Sequence, residues 1–417
     1  MNRGLAPLIH EPYKRQLKTK RIAVLKVLRE LTAKMKGVRS TLTPDSTNLP
    51  CHVEITRESP IQVGYRNFDD FSIGTGLDGN PKTVGYILGK FKDSTAVCYS
   101  PGNMVLLKES HKVLANHFEN YLHQVSPLDV CTSFSDGGHW RRFIVRSNDV
   151  EDLMGIAILH PQNLSKNELE EEKNRLRNFF QPLAQDISLK SLYFQTCRGT
   201  RCTHEESNFQ YVMGHEYLRE NINGMSIRVS PYSFSYVNKK VAEVLYNVVL
   251  EEIDPQPGIN VIELNCDGGV MTCQIAPKVA KAIGIDPSPS GICDAKFNAK
   301  INQLLNCEFF DGDLESCLDK LIEEHYSENL ALIINAGSKG VTAGLINTIR
   351  KMSNIQRLIY ITKNPGGGPL KNFAHLCLPF RPKDRIEGDP FIPLRATPID
   401  MYPQTEKYEL VMTFVRS

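Results

Sequence analysis

The sequence predicts an α/β protein: a doubly wound parallel sheet in the C-terminal half, preceded by a strand-rich α+β domain. Two observations lead there. After Gly224 helical and extended patterns alternate, the sequence form of a parallel sheet with crossover helices, whereas from about Thr41 to Met225 short β-branched runs are separated by turn residues. A third observation marks the start of the chain. Residues 1–40 hold eleven Lys and Arg against two Glu, so this segment is +9 although the whole chain is only +2. The expected division is a basic helical segment at 1–40, a strand-rich domain at 41–225 and the α/β domain at 226–417.

Within the basic segment, Leu17, Val24, Leu28, Leu31 and Met35 recur near helical spacing, with Lys and Arg on the other face. Such a helix packs on the body with a solvated outer face, contacts RNA phosphate, or keeps the Arg-rich, acid-poor character of a mitochondrial targeting segment. In the second region, alternation predicts mostly antiparallel strands at Val53–Ile55, Phe71–Ile73, Val84–Leu88, Arg142–Arg146 and Gly155–Leu159, with a turn at Asp78-Gly79-Asn80-Pro81. Helical patterns cover Lys108–Val125 and Lys166–Phe180. In the third, helices are expected at Val237–Glu252, Thr272–Ala280, Ser290–Leu304, Leu314–His325 and Leu345–Met352. They alternate with strands at Asn260–Leu264, Ala282–Ile285, Ala331–Ile334 and Arg357–Ile361, before a closing strand at Tyr408–Phe414.

Composition narrows the class. At 417 residues the chain can bury two or three cores, and no apolar run approaches the roughly 18 residues that span a bilayer. The start lacks the apolar core of a secretory signal. Eleven irregularly spaced cysteines without a C-x-x-C pair predict reduced thiols in an intracellular compartment. A zinc site at Cys197, Cys202 and His204 is the lesser alternative, since no fourth ligand is evident.

The chemistry gathers where doubly wound sheets bind ligands, outside the carboxyl ends of the strands. The loop Glu263-Leu264-Asn265-Cys266-Asp267-Gly268-Gly269 follows the first strand, and Asp286 ends the second, suitably placed to accept from ribose hydroxyls. G-x-G-x-x-G is absent, so a nucleoside cofactor without a pyrophosphate, such as S-adenosylmethionine, fits better than a dinucleotide. Tyr65, Arg66, Trp140, Arg141 and Arg142 combine aromatic faces and cations suited to RNA bases and phosphates. The only Trp, Trp140, serves equally well as a core aromatic.

Several dispersed stretches, in order, carry a resemblance: Gly64-Tyr65-Arg66-Asn67, Gly138-His139-Trp140-Arg141-Arg142, Ile227 to Asn238, the loop at Glu263, Asp294 to Ala299, Tyr360 to Pro365, and Ala396 to Thr405 leading into Glu409. Together they resemble the RNA 5-methyluridine (uracil-C5) methyltransferases over nearly the whole chain, from about Leu5, and look closest to the mitochondrial branch of the eukaryotic tRNA enzymes. The resemblance implies a class I methyltransferase (Rossmann-like) catalytic domain, a strand-rich RNA-binding domain, S-adenosyl-L-methionine as cofactor and tRNA or another structured RNA as partner. A mitochondrial location follows from the nearer branch, with cytoplasm or nucleus as the alternative.

In that family a cysteine thiolate adds to uracil C6, C5 attacks the methyl group, and a base then removes the C5 proton, which breaks the C6–S bond and releases the thiolate. The resemblance assigns the thiolate to the position after Thr362, which is Lys363 here. An ammonium of pKa about 10.4 has no free lone pair unless strongly desolvated. Three more departures accompany it. Tyr236 replaces a cofactor-contacting Gln, Asp267 replaces a loop Gly, and Asn335-Ala336-Gly337-Ser338 replaces an Asp-Pro-Pro-Arg turn. Glu263 opens the cofactor loop, while Asp286 and Glu409 match the ribose acid and the base. Cys266 and Cys377 are not placed by the motifs to substitute for the missing thiol. The expectation is a weak or inactive RNA-binding homologue; the alternative is an active enzyme using Lys363 or a displaced cysteine, with Glu409 as base.

Overall fold

A computed structural model describes residues 6–35, 48–89, 96–131, 137–199, 202, 206–323 and 329–416. Helix α1 (Tyr13–Lys34) turns Leu17, Val24, Leu28 and Leu31 inward, as the spacing predicts. Val24, Leu28 and Leu31 join the hydrophobic core of the C-terminal sheet. Lys20 is buried on the same face, which the reading of an apolar inner and a basic outer face did not provide for. Strand β1 (His52–Val53) likewise belongs to the C-terminal sheet. The expected divisions at 40 and 41–225 are therefore corrected: Pro7–Ile61 clusters with the C-terminal unit, and the strand-rich unit takes in Gln62–Asn221 and Ile227–Lys239.

The strand-rich unit holds β2 (Phe68–Gly74), β3 (Thr83–Leu88), β4 (Val97–Tyr99), α2 (Glu109–Gln124), β5 (Trp140–Ser147), β6 (Leu153–Leu159), α3 (Lys166–Phe180), β7 (Leu189–Thr196) and β8 (Gln210–Gly214). Its sheet runs β4-β3-β2-β5-β6-β7-β8. Only β6 and β7 pair in parallel, and α3 makes the crossover that a parallel pair requires. A Ser165/Glu168 capping box starts α3. Beneath the sheet Phe118 stacks on Phe143 at 4.1 Å and packs edge-on against Trp140 at 5.4 Å. The thiols expected at Cys197 and Cys202 are instead joined in a disulfide, which removes both from a zinc site. His204 lies outside the described residues.

A hairpin of β9 (Leu218–Ile222) and β10 (Met225–Val229) follows, with Asn223 and Gly224 at positive φ, the conformation that tight hairpin turns demand. The C-terminal unit then continues through α4 (Lys239–Ile253), β11 (Asn260–Leu264), α5 (Val270–Ile275), β12 (Lys281–Asp286), α6 (Pro289–Ile301), β13 (Cys307–Asp311), α7 (Leu314–Glu323), β14 (Leu330–Asn335), α8 (Ala343–Lys351), β15 (Ile355–Thr362), α9 (Gly368–Cys377), β16 (Ile392–Ile399) and β17 (Glu409–Val415). The sheet order is β1-β16-β17-β15-β14-β11-β12-β13, parallel except for β17, which runs against both neighbours. β16 escaped the sequence reading because Pro393 and Pro398 interrupt it, and its register shifts between Pro393 and Arg395. The helix expected at Thr272–Ala280 ends early, because Pro277 turns the chain into a 3₁₀ segment at Ala276–Lys278.

Candidate cofactor and catalytic site

The chain leaves β11 for β12 and β13 on one side and returns to β14 and β15 on the other, so the switch point lies between β11 and β14. Parallel register brings the strand ends together: Leu264 pairs with Ile334, and Asn335 with Ile361. Asn265 Nδ2 crosses that point and donates to the Asn335 carbonyl at 2.8 Å. The antiparallel pairing of Thr362 with Leu410 then sets Lys363 opposite Glu409. Thus Glu263, Asp286, Asn335, Lys363 and Glu409 all lie along one edge of one sheet. Tyr236 falls on Ile227–Lys239, which clusters with the strand-rich unit; there its ring packs edge-on against Phe234 at 5.2 Å.

The loop itself is tightly built. The Asp267 and Ser288 amides each donate to the Asp286 carboxylate at 2.8 Å. Asn298, fully buried on α6, donates to the Gly268 carbonyl at 2.9 Å. Gly269 has φ 67°, and a Cβ there would fall 2.7 Å from Ala295 and Phe309. Only glycine fits. Asp267 also has positive φ, 45°, but carries a side chain. A Cβ built on Gly291, at the start of α6, would lie 2.8 Å from its Oδ1, so the carboxylate rests against that helix turn.

Burial governs the electrostatics. It pushes the Glu263 carboxyl up to about 8 despite the Thr272 hydroxyl, and the neighbouring Asp286 and Asp267 push the same way. Burial also raises Asp286, against the pull of the Ser288 and Asp267 amides. At the other end, burial drives Glu409 up to about 8, opposed by Lys363 and by the Tyr402 hydroxyl, which donates at 3.3 Å. Burial therefore favours the neutral acid form of Glu409. It must lose that proton before it can act as a base. Lys363 is exposed at its side. The cysteines offer no substitute: burial raises the Cys266 thiol well above its usual range and raises Cys377 as well.

For a nucleoside cofactor bearing a sulfonium, Asp286 fits: its carboxylate keeps acceptor capacity beyond the two amides.

Of the RNA-contact candidates, the two aromatics are buried and the three arginines have partners within the chain. Trp140 is fully buried, and its indole N–H donates to Ser126 Oγ at 2.9 Å, so no face is open to a base. Tyr65 is only 4% exposed. Arg66 is engaged by Asp69 in a buried network in which His111 lies 2.7 Å from Asp69 and 2.8 Å from Ser147 Oγ. Arg142 forms a two-pronged pair with Asp70, and Arg141, half-buried, donates to the Gly199 carbonyl. These side chains hold the strand-rich unit together. Sequence reasoning missed Tyr402, Asn265 and Asn298 as parts of the site, although all three sit in stretches that carried the resemblance.

A methyltransferase-domain model matches residues 255–368. The chain is 34% identical to tRNA (uracil-5-)-methyltransferase homolog B of Danio rerio, covering 99% of this chain and 86% of that protein. Homolog B of Homo sapiens is also 34% identical, at 99% and 83% coverage. Among solved structures, the Pyrococcus abyssi tRNA (uracil-54, C5)-methyltransferase in complex with S-adenosyl-L-homocysteine shares the fold, with a TM-score of 0.68, 18% identity, and coverage of 98% of this chain and 85% of that one.

Proposed function

The chain belongs to the tRNA (uracil-5-)-methyltransferase family, with a class I methyltransferase fold, and on that premise we propose that it is an RNA-binding member whose own methyl transfer is absent or very weak. Structured RNA, tRNA first, is the partner. The observation that carries the reading is Lys363: an exposed ammonium follows Thr362 where the family's thiolate belongs, beside a Glu409 whose burial favours its protonated form. Conjugate addition to a pyrimidine needs a soft, deprotonated nucleophile, and an exposed ammonium is neither. Asp267 argues the same way, since its side chain and charge burden the loop that a methyl donor would use.

The test is direct. Purified protein, unmodified tRNA transcript and S-adenosylmethionine are incubated, and nucleosides are digested for mass spectrometry. No 5-methyluridine above background is expected. Multiple turnovers would overturn the proposal and favour an active enzyme, in which Lys363→Ala or Glu409→Ala must then abolish transfer. Mitochondria are the proposed compartment, from the character of the basic segment and the nearer branch; imaging of a C-terminally tagged chain checks it.

A further inference from the structure

At about 100° per residue, Lys14, Arg15, Lys18, Lys26 and Arg29 fall within an arc of about 120° on the outer face of α1, and all are exposed. They extend over about 22 Å at 1.5 Å per residue. The opposite face is bolted down. The Lys20 ammonium, with no exposed surface, pairs with Asp400 and donates to the Tyr402 carbonyl at 3.0 Å. Tyr13 donates to the same carboxylate at 2.8 Å, and Gln16 exchanges hydrogen bonds with Gln404 at 2.7 and 2.9 Å.

We propose that this outer stripe is a docking surface for the phosphate backbone of structured RNA. The inference rests on the RNA-binding reading above and gives it a location. Charge complementarity carries it: the first 40 residues are +9 while the rest of the chain is −7, so positive potential is concentrated on this segment. A lipid surface fits less well. An amphipathic helix binds a membrane through its apolar face, and here Val24, Leu28 and Leu31 are fully buried in the core. The anchoring also makes the stripe a fixed feature of the folded unit.

The experiment is a salt titration of tRNA-transcript binding by the full chain, wild type against K14E/K18E/K26E/R29E. At about 0.1 M salt the variant is expected to bind at least tenfold more weakly. Its log affinity against log salt should flatten by about 3, because each lost phosphate contact removes about 0.7–0.9 from the slope. The melting temperature should hold, since the four side chains are exposed. Equal affinity and slope in both proteins would overturn the stripe while leaving RNA binding intact. No tRNA binding by wild type would overturn both readings. Capture by phosphatidylserine vesicles that the variant loses, with tRNA affinity unchanged, would reassign the surface to membranes and also overturn the proposal.

Discussion

Buried acids behave oppositely in the two units. In the strand-rich unit Asp69 has no exposed surface, and burial alone would raise its pKa, yet Arg66, His111 and Tyr86 together hold the carboxyl below its ordinary range. In the C-terminal unit Glu263 and Glu409 are nearly as buried, and both are pushed up to about 8. The difference is partners, not depth. Asp69 has three groups that donate hydrogen bonds or carry charge, whereas Glu263 has Thr272 alone, through its hydroxyl and amide, against two neighbouring acids, and Glu409 has the Tyr402 phenol at 3.3 Å and an exposed ammonium. A satisfied buried acid is structural cement. An under-satisfied one at the carboxyl edge of a doubly wound sheet is a candidate for a ligand site.

The largest expected effect comes from breaking the satisfied cluster. Asp69→Asn leaves Arg66 without its counter-ion and is predicted to cost about 3–5 kcal/mol. Urea titration followed by fluorescence can read this unit alone, because Trp140 is the only Trp and lies in its core. An unchanged midpoint would dissolve the contrast.

The next effect tests the under-satisfied acids by pH. Glu263 and Glu409 have folded pKa values raised from 4.5 to about 8, so the folded state binds more protons than the unfolded state between those values. Their contribution to stability is full below the unfolded value and is lost as pH rises through about 8, at up to about 1.4 kcal/mol per pH unit per group. Glu263→Gln and Glu409→Gln should flatten that decline in calorimetric scans from pH 5 to 9. Stability that instead rises over this range would contradict the assignment.

The smallest expected effect on stability, within about 1 kcal/mol, is Asp267→Gly, where relief of the positive φ is offset by greater freedom of the unfolded chain. Its consequence for ligand binding is larger. Calorimetric titration with S-adenosylmethionine should give more heat for the variant than for wild type, and equal heats would move the defect elsewhere in the site.

Much of the C-terminal unit was legible because its signals are local. The strand at Asn260–Leu264 was read to the residue, as was the helix at Lys166–Phe180 in the strand-rich unit. The loop and Asp286 were read from their positions after strands, and Glu409 from the resemblance. β16 stayed hidden behind two prolines, and β7 and β8 gave no pattern that was recognised. Trp140 and Tyr65 were read as RNA contacts and are buried, which the sequence hid for a different reason. Aromatic and cationic residues look alike in sequence whether they face a base or a buried carboxylate, and Arg142 meets an acid 72 positions away.

By itself the sequence determined the alternation of helices and strands and the family, because each is a matter of residue type and near-neighbour spacing. Tertiary structure decided which charges are buried and with whom. Lys20 reads as one more cation on a basic helix until the fold sets it against Asp400, 380 residues on. Trp140 reads as a possible stacking platform until Phe118, Tyr121 and Phe194 close around it. Periodicity reports which way a side chain faces within its own element, whereas desolvation and pairing depend on distant segments that only the folded chain brings together.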